Sequence, residues 1–316
     1  MESYANFVCD LHGHTNRSDG NDTPKEYLLH AAKRRMKVVA ITDHDKVPPD
    51  TVIVNGEERE ITEYARSLGL TLLKGIEISC ETEIEDVHLV CFGCRFDSPY
   101  FEELDRFTKQ SKILSYKELV RRLTGTGRPL SWEEVLENSG NPVREEEVQK
   151  KMIFNLMARK GYARNWSEAK LLVKNDKRLR ISREKPDAAE VIHEIHRQGG
   201  IVILAHPYLI CEPVNYNGRQ LGRQEFIDIL IYEGLDGIEG RYTYDKTSYN
   251  GDMGKEEIFN DIIERYRGRV SVISGGSDYH GDGKKGVDNP REIGECGLTE
   301  DEFYSNPILQ KLVEMY

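Results

Sequence analysis

Asp10-Leu11-His12-Gly13-His14-Thr15-Asn16-Arg17-Ser18-Asp19-Gly20 is the stretch that decides how this chain is read. Phe7-Val8-Cys9 just before it forms a short apolar strand pattern, and in a strand residues i and i+2 share a face. His12 and His14 therefore stand side by side at a strand end, a ready pair of metal ligands. Asp19 can fold back toward them as a carboxylate from the polar turn that closes at Gly20. A His-x-His pair by itself is a weak motif, equally compatible with one core histidine and one exposed one. The rest of the chain has to decide.

Moving outward, Thr23-Pro24-Lys25-Glu26 is a capping box with proline in the first turn, opening a helix through about Arg35. Lys37-Val38-Val39-Ala40-Ile41 has the β-branched apolar character of a buried parallel strand, and it ends in Thr42-Asp43-His44-Asp45. A loop and a helix across Glu58 to Leu68 lead to the strand Leu70 to Ser79, in which Glu77 interrupts an apolar run; a carboxylate there needs a partner. Val87 to Gly93 repeats the pattern with His88. Later, Ile201 to Ala205 ends in His206-Pro207, and Leu235-Asp236-Gly237-Ile238-Glu239 is followed by Gly240-Arg241-Tyr242. A helix over about Lys255 to Tyr266 precedes a strand that runs into Gly276-Ser277-Asp278-Tyr279-His280-Gly281, and a short helix from Glu300 closes the chain.

Repeated strand-helix units predict a parallel sheet, and in a closed barrel the loops after the strands' C-terminal ends form the active face. Six of the nine histidines fall in these strand-end clusters, whereas His30, His193 and His196 sit on helices as surface or packing residues. His12, His14, Asp19, His44, Glu77, His88, His206, Asp278 and His280 are the candidate metal ligands. A mixed imidazole and carboxylate set suits divalent Mn, Fe or Zn, and nine ligands exceed what one ion can use, so two or three ions are expected. Such clusters lower the pKa of a water and clamp phosphoryl oxygens during in-line displacement. The sequence shows no Ser-His-Asp arrangement, phosphate-cradling glycine loop or dinucleotide fingerprint, which leaves hydrolysis by a metal-activated hydroxide as the simplest chemistry.

A length of 316 residues fits one α/β barrel or a barrel with an insertion. Between about Pro99 and Pro186 strand signals give way to helix formers, with starts at Ser131-Trp132-Glu133-Glu134 and after Asn141-Pro142. From Arg144 to Lys185 there are 13 Lys/Arg against 6 Asp/Glu, a net of +7 in a chain whose total is -11. The overall charge argues against long nucleic acids as partners, whose binding rests on phosphate neutralisation. The local excess would draw in a small anion. Lys150, Arg17 and Arg241 are the candidate substrate-binding cations. With no apolar run long enough to span a bilayer, the chain is expected to be soluble and cytoplasmic, without a membrane partner. Its six scattered cysteines are expected to be reduced and structural.

Taken in order, Asp10-Leu11-His12-x-His14-Thr15-x-x-Ser18-Asp19-Gly20, Thr42-Asp43-His44, Gly75-Ile76-Glu77, His88, Leu204-Ala205-His206-Pro207 and Gly276-Ser277-Asp278-Tyr279-His280-Gly281 resemble the polymerase and histidinol phosphatase (PHP) domain phosphoesterases. Lys160-Gly161-Tyr162-Ala163 and Ser167-Glu168-Ala169 look like the insertion of the family's stand-alone branch, which includes nucleotide phosphatases and a 5′-to-3′ exonuclease on short RNA. The resemblance implies a distorted (β/α)7 barrel over 1–98 and 187–316, a helical insertion over 99–186, and up to three metals. By carry-over, His12, His14, Glu77 and Asp278 hold one ion, and Glu77 bridges to a second shared with His88 and His206. Asp19, His44 and His280 hold the third, and His206, His280, Glu77 and Asp278 carry the catalytic roles. Where that branch often has Arg-Pro-His in the insertion, this chain reads Lys150-Lys151-Met152, which changes how a phosphate would be gripped. The resulting expectation is a phosphoesterase acting on a small phosphorylated metabolite such as a nucleotide, nucleoside bisphosphate or sugar phosphate. The alternatives are a 5′-to-3′ exonuclease on short RNA, an amidohydrolase-like metal hydrolase and a non-catalytic metal-binding module.

Overall fold

The computed structural model describes residues 7–80, 87–181 and 183–315. Two compact units divide the chain, Met1–Phe101 with Pro186–Tyr316, and Glu102–Lys185. In chain order the first part runs β1 (Cys9–Asp10), α1 (Pro24–Lys33), β2 (Val38–Ile41), β3 (Thr51–Val54), β4 (Glu57–Glu60), α2 (Ile61–Ser67), β5 (Thr71–Cys80) and β6 (Val87–Phe92). The helices α3 (Pro99–Gly125), α4 (Trp132–Glu137), α5 (Lys150–Arg159) and α6 (Trp166–Asn175) follow. The chain then returns through α7 (Ala188–Arg197), β7 (Ile201–Leu204), β8 (Val214–Tyr216), β9 (Arg219–Leu221), α8 (Arg223–Tyr232), β10 (Gly237–Arg241), α9 (Lys255–Tyr266) and β11 (Val272–Gly275), ending in α10 (Glu300–Ser305) and α11 (Pro307–Val313).

Local chemistry places most of these boundaries. Thr23 accepts from the Glu26 backbone N–H while the Glu26 carboxylate reaches back to Thr23, so α1 starts where the capping box and Pro24 dictate. Asp187 caps α7 through the N–H groups of Ala189 and Glu190, and its buried Ala188, Val191, Ile192 and Ile195 recur at helical spacing. Two expectations shift. The helix expected from Glu58 begins only at Ile61, because Val54-Asn55-Gly56-Glu57 makes a tight turn, with φ of 55° at Asn55 and 85° at Gly56, that pairs β3 with β4. The helix expected after Asn141-Pro142 begins at Lys150 instead.

Among the described residues, seven strands form one sheet in the order β1-β2-β5-β6-β7-β10-β11. It closes on itself where the Leu11 N–H donates to Gly275 O at 3.1 Å and the His14 N–H to Tyr279 O at 2.8 Å, which makes the barrel. All pairs are parallel except those of β6, which runs antiparallel to both β5 and β7. That reversal corrects the all-parallel expectation. It also explains how His88, at the beginning of β6, reaches the same rim as residues at the ends of the other strands. On one face of the sheet Val38, Ala40, Leu73, Val90, Phe92, Ile203 and Val272 pack with Phe303, Leu309 and Leu312 of the closing helices. The alternate residues Val39, Ile41 and Leu72 pack with α1 and α2. The Glu102–Lys185 unit has its own core, in which Leu119, Leu123, Ile153, Phe154, Met157, Ala169 and Val173 are buried together.

Candidate metal centre

Glu77 is the hub of the rim. Fully buried in mid-strand, it presents one oxygen to three imidazoles: Oε2 lies 3.3 Å from His12 Nε2, 3.2 Å from His14 Nε2 and 2.9 Å from His44 Nδ1. The other oxygen, Oε1, lies 2.9 Å from His88 Nδ1 and 3.2 Å from His206 Nε2. Asp278 Oδ1 lies 2.9 Å from His14 Nε2 and 3.5 Å from His12 Nε2. Asp19, half exposed, reaches His280 Nε2 at 3.1 Å. The structure therefore brings all nine expected ligands to one rim. Among the described residues, three groups have donor atoms within 4.8 Å of one another: His14, Asp19, His44 and His280; His12, His14 and Glu77; and His44, Glu77 and His88.

The backbone is shaped for this convergence. His206 and Asp278 occupy the left-handed region, with φ of 29° and 52°, where a side chain is strained and surrounding contacts must hold it. Gly276 permits the closure, since a Cβ there would lie 2.3 Å from the Cβ of His12. Asp10, buried and raised to about 6 by that burial, accepts from Ser277 N at 2.9 Å, Ser277 Oγ at 2.6 Å and Gly294 N at 2.7 Å, tying the first strand to the last loop. Asp43 accepts from Thr15 N and Oγ1, both at 2.7 Å, and from Ser18 Oγ at 2.6 Å, which fixes the loop that carries Asp19.

Burial works against every charge here, yet the groups compensate one another. Glu77 and Asp278 are held well below the usual carboxylate range because facing imidazoles outweigh their desolvation, and His12, His88 and His280 are raised by the same carboxylates. His206 is instead lowered, burial prevailing over Glu77. Among the described residues, His12 Nε2, both ring nitrogens of His14, His44 Nδ1, Glu77 Oε2 and His206 Nδ1 are buried with no hydrogen-bond partner. Buried polar atoms need partners, and inward-facing ring nitrogens around carboxylate oxygens have the chemistry of a divalent-metal donor set.

The expected substrate cations fare differently. Arg17 is half-buried on the Asp19 loop, its Nη1 donating to Val47 O at 2.7 Å. Lys150 stands at the start of α5 in the Glu102–Lys185 unit, its pKa lowered by desolvation and by Lys170. Arg241 points away from the rim and is corrected to a structural role. Its guanidinium lies 4.0 Å from the Phe259 ring and 4.9 Å from that of Phe7, and it pairs with both Glu302 oxygens at 2.8 and 2.9 Å. The cause is a register shift between Glu239 and Arg241, which turns the strand end so that Tyr242 faces inward instead. Tyr242 Oη donates to Asp278 Oδ2 at 2.7 Å, and Arg291 pairs with the same oxygen. Neither residue was singled out from sequence, nor was Glu239, whose Oε1 lies 3.1 Å from His12 Nδ1 and whose Oε2 accepts from His206 N at 2.7 Å. Gly237-Ile238-Glu239 repeats the tripeptide Gly75-Ile76-Glu77 and could have flagged Glu239; Arg291 has no such local signal.

The family model described as PHP domain matches residues 10–197. The chain belongs to the PHP domain family. A 5′-3′ exoribonuclease of Haemophilus influenzae is 27% identical, covering 86% of this chain and 89% of that protein. A phosphoribosyl 1,2-cyclic phosphate 1,2-diphosphodiesterase of Eggerthella lenta is 26% identical over 87% and 94%, and a 3′,5′-nucleoside bisphosphate phosphatase of Chromobacterium violaceum 24% identical over 92% and 91%. Among solved structures, a protein of Bifidobacterium adolescentis assigned provisionally as a metal-dependent phosphoesterase superposes with a TM-score of 0.66 at 26% identity, covering 97% of this chain and 98% of that one. An amidohydrolase of Chromobacterium violaceum, solved with sulfate and no metal, has a TM-score of 0.63 at 20% identity over 98% and 96%, a likeness of fold alone. With the family comes the enzyme class: this PHP protein is a metal-dependent phosphoric ester hydrolase. Among its described residues no helix is long and apolar enough to cross a membrane.

Proposed function

We propose that this PHP protein hydrolyses a small phosphorylated metabolite, such as a nucleotide, nucleoside bisphosphate or sugar phosphate, using two or three divalent Mn, Fe or Zn ions. The observation that carries the reading is Glu77, whose two oxygens face separate sets of imidazoles and so suit a carboxylate shared between ions. His12, His14 and Asp278 would complete one site with Glu77, His88 and His206 a second, and Asp19, His44 and His280 a third. Divalent ions held there supply positive charge for phosphoryl oxygens and lower the pKa of water toward neutrality. The chain's own contribution is to orient. His280 Nδ1 donates to Asp278 O at 2.8 Å, which leaves Nε2, 3.1 Å from Asp19 Oδ1, as the nitrogen that would hold an ion. Tyr242 and Arg291 hold Asp278 Oδ2, so that Oδ1 faces the imidazoles. In this reading His206 and His280 act as ligands, and Arg17 contributes positive charge beside the substrate.

A second reading, removal of nucleotides from the 5′ end of short RNA, draws support from the Glu102–Lys185 unit. Several of its arginines are engaged by carboxylates, among them Arg144 with Glu147, Arg164 with Glu168 and Arg178 with Asp176. Trp166 is 41% exposed with Lys151 Nζ 4.8 Å over its ring, a pairing of ring and cation that suits an unpaired base and its phosphate. Metal-loaded protein should be assayed for phosphate or nucleotide release from nucleotides, nucleoside bisphosphates, cyclic phosphates and short RNA. Turnover of a small phosphoester ahead of RNA is the expected result; turnover of RNA alone would replace the first reading with the second, and release from none of them would reject both.

A further inference from the structure

Glu239 is buried at the rim, and both its oxygens are committed. Oε2 accepts from the His206 backbone N–H at 2.7 Å, and a backbone N–H can only donate. A carboxylate offers acceptors alone, so Oε1, 3.1 Å from His12 Nδ1, must also accept, and the proton of His12 belongs on Nδ1. Nε2, 3.3 Å from Glu77 Oε2 and 3.5 Å from Asp278 Oδ1, is then the nitrogen left to bind a metal ion. The same carboxylate steadies His206, whose φ of 29° is sustained only if its backbone is held.

We infer that Glu239 is a positioning residue for the metal centre: it fixes the tautomer of His12 and the backbone of His206 with one side chain. The inference rests on the reading of His12 and His206 as metal ligands. It has a consequence that packing alone does not give. Glutamine matches glutamate in shape but replaces one acceptor by a donor. Its oxygen must turn to the unchangeable His206 N–H, which presents its amide N–H to His12 Nδ1. His12 can satisfy that donor only by moving its proton to Nε2, the atom that should bind metal.

Zinc affinity of the full-length chain, measured by competition with a chromophoric chelator, should fall by about 10–100-fold in Glu239→Gln. It should fall at least as far as in Glu239→Ala, while the metal-free melting temperature of Glu239→Gln stays near that of the parent. A merely space-filling role predicts the reverse order, with the isosteric glutamine the milder change, and that order would overturn the inference. A second measurement needs no variant. Nitrogen-15 spectra of the zinc-loaded parent should show His12 protonated at Nδ1 and bound through Nε2, and binding through Nδ1 would equally overturn it. A parent chain that binds no zinc would instead reject the metal reading itself, and this inference with it.

Discussion

Two strands of the barrel carry the same tripeptide to the same rim, and the structure uses the two glutamates in opposite ways. Glu77, in Gly75-Ile76-Glu77 of β5, faces side-chain imidazoles on both oxygens, with Oε2 lacking any hydrogen-bond donor. Glu239, in Gly237-Ile238-Glu239 of β10, receives a backbone N–H on one oxygen and faces an imidazole Nδ1 on the other. The difference lies in what each strand's neighbours present. Around Glu77 every neighbour can offer a lone pair, so the carboxylate calls for a cation; around Glu239 the fixed backbone donor makes it an anchor. The glutamate and the two residues before it are the same in both places, and long-range partners decide the role.

The comparison can be broken most directly at Glu77. Glu77→Gln should lose metal from every group it touches, with kcat/KM falling by more than the roughly 100-fold ceiling expected of an outer partner. Elemental analysis after reconstitution should show fewer ions per chain. If Glu77→Gln were no worse than Glu239→Gln in both readouts, the distinction between the two strands would be lost. A smaller effect is expected from Tyr242→Phe, which removes one of two groups on Asp278 Oδ2 while Arg291 remains. About a tenfold weakening of metal binding, with little change in KM for substrate, should be seen by calorimetry and steady-state kinetics. An effect as large as that of Glu77→Gln would make the phenol a direct participant. The smallest catalytic change belongs to Arg241→Ala, one residue away from Tyr242 but facing outward. It should leave kcat/KM unaltered and lower thermal stability by about 1 kcal/mol through the lost ring stacking and the Glu302 pair. A raised KM for the phosphorylated substrate would return Arg241 to the site.

Much of the fold is legible in the chain because its signals are local. The Thr23-Pro24-Lys25-Glu26 box, the apolar run at Val38–Ile41 and the helix over Lys255–Tyr266 each declare themselves within one element. The polar residues at strand ends are legible for the same reason, since a histidine or glutamate in an apolar strand stands out by its cost of burial. Strand direction is not local: His88 signals its presence within β6 but not that β6 runs against its neighbours. Nor is a register shift. Strand alternation puts Arg241 on the same face as Glu239, and only the irregular pairing with β11 turns it out and Tyr242 in. Arg291 reaches Asp278 from a loop with no periodic pattern, so nothing near it in sequence announces the contact. The Asn55-Gly56 turn, by contrast, follows from local turn chemistry, which makes β3 and β4 readable from sequence despite the expectation of a loop.

The bonds from Ser277 and Gly294 to Asp10 join positions 267 and 284 residues apart, and they bear on how the protein comes into being. During synthesis at about 5–20 residues per second, the first strand emerges on the order of tens of seconds before the loop that completes its rim. Over that interval His12 and His14 exist without Asp278 or His280, while the Glu102–Lys185 unit, with its separate core, has all it needs to condense as the chain lengthens. The metal-binding rim thereby stays incomplete on the nascent polypeptide until residues 277–294 have been made and have closed onto Asp10.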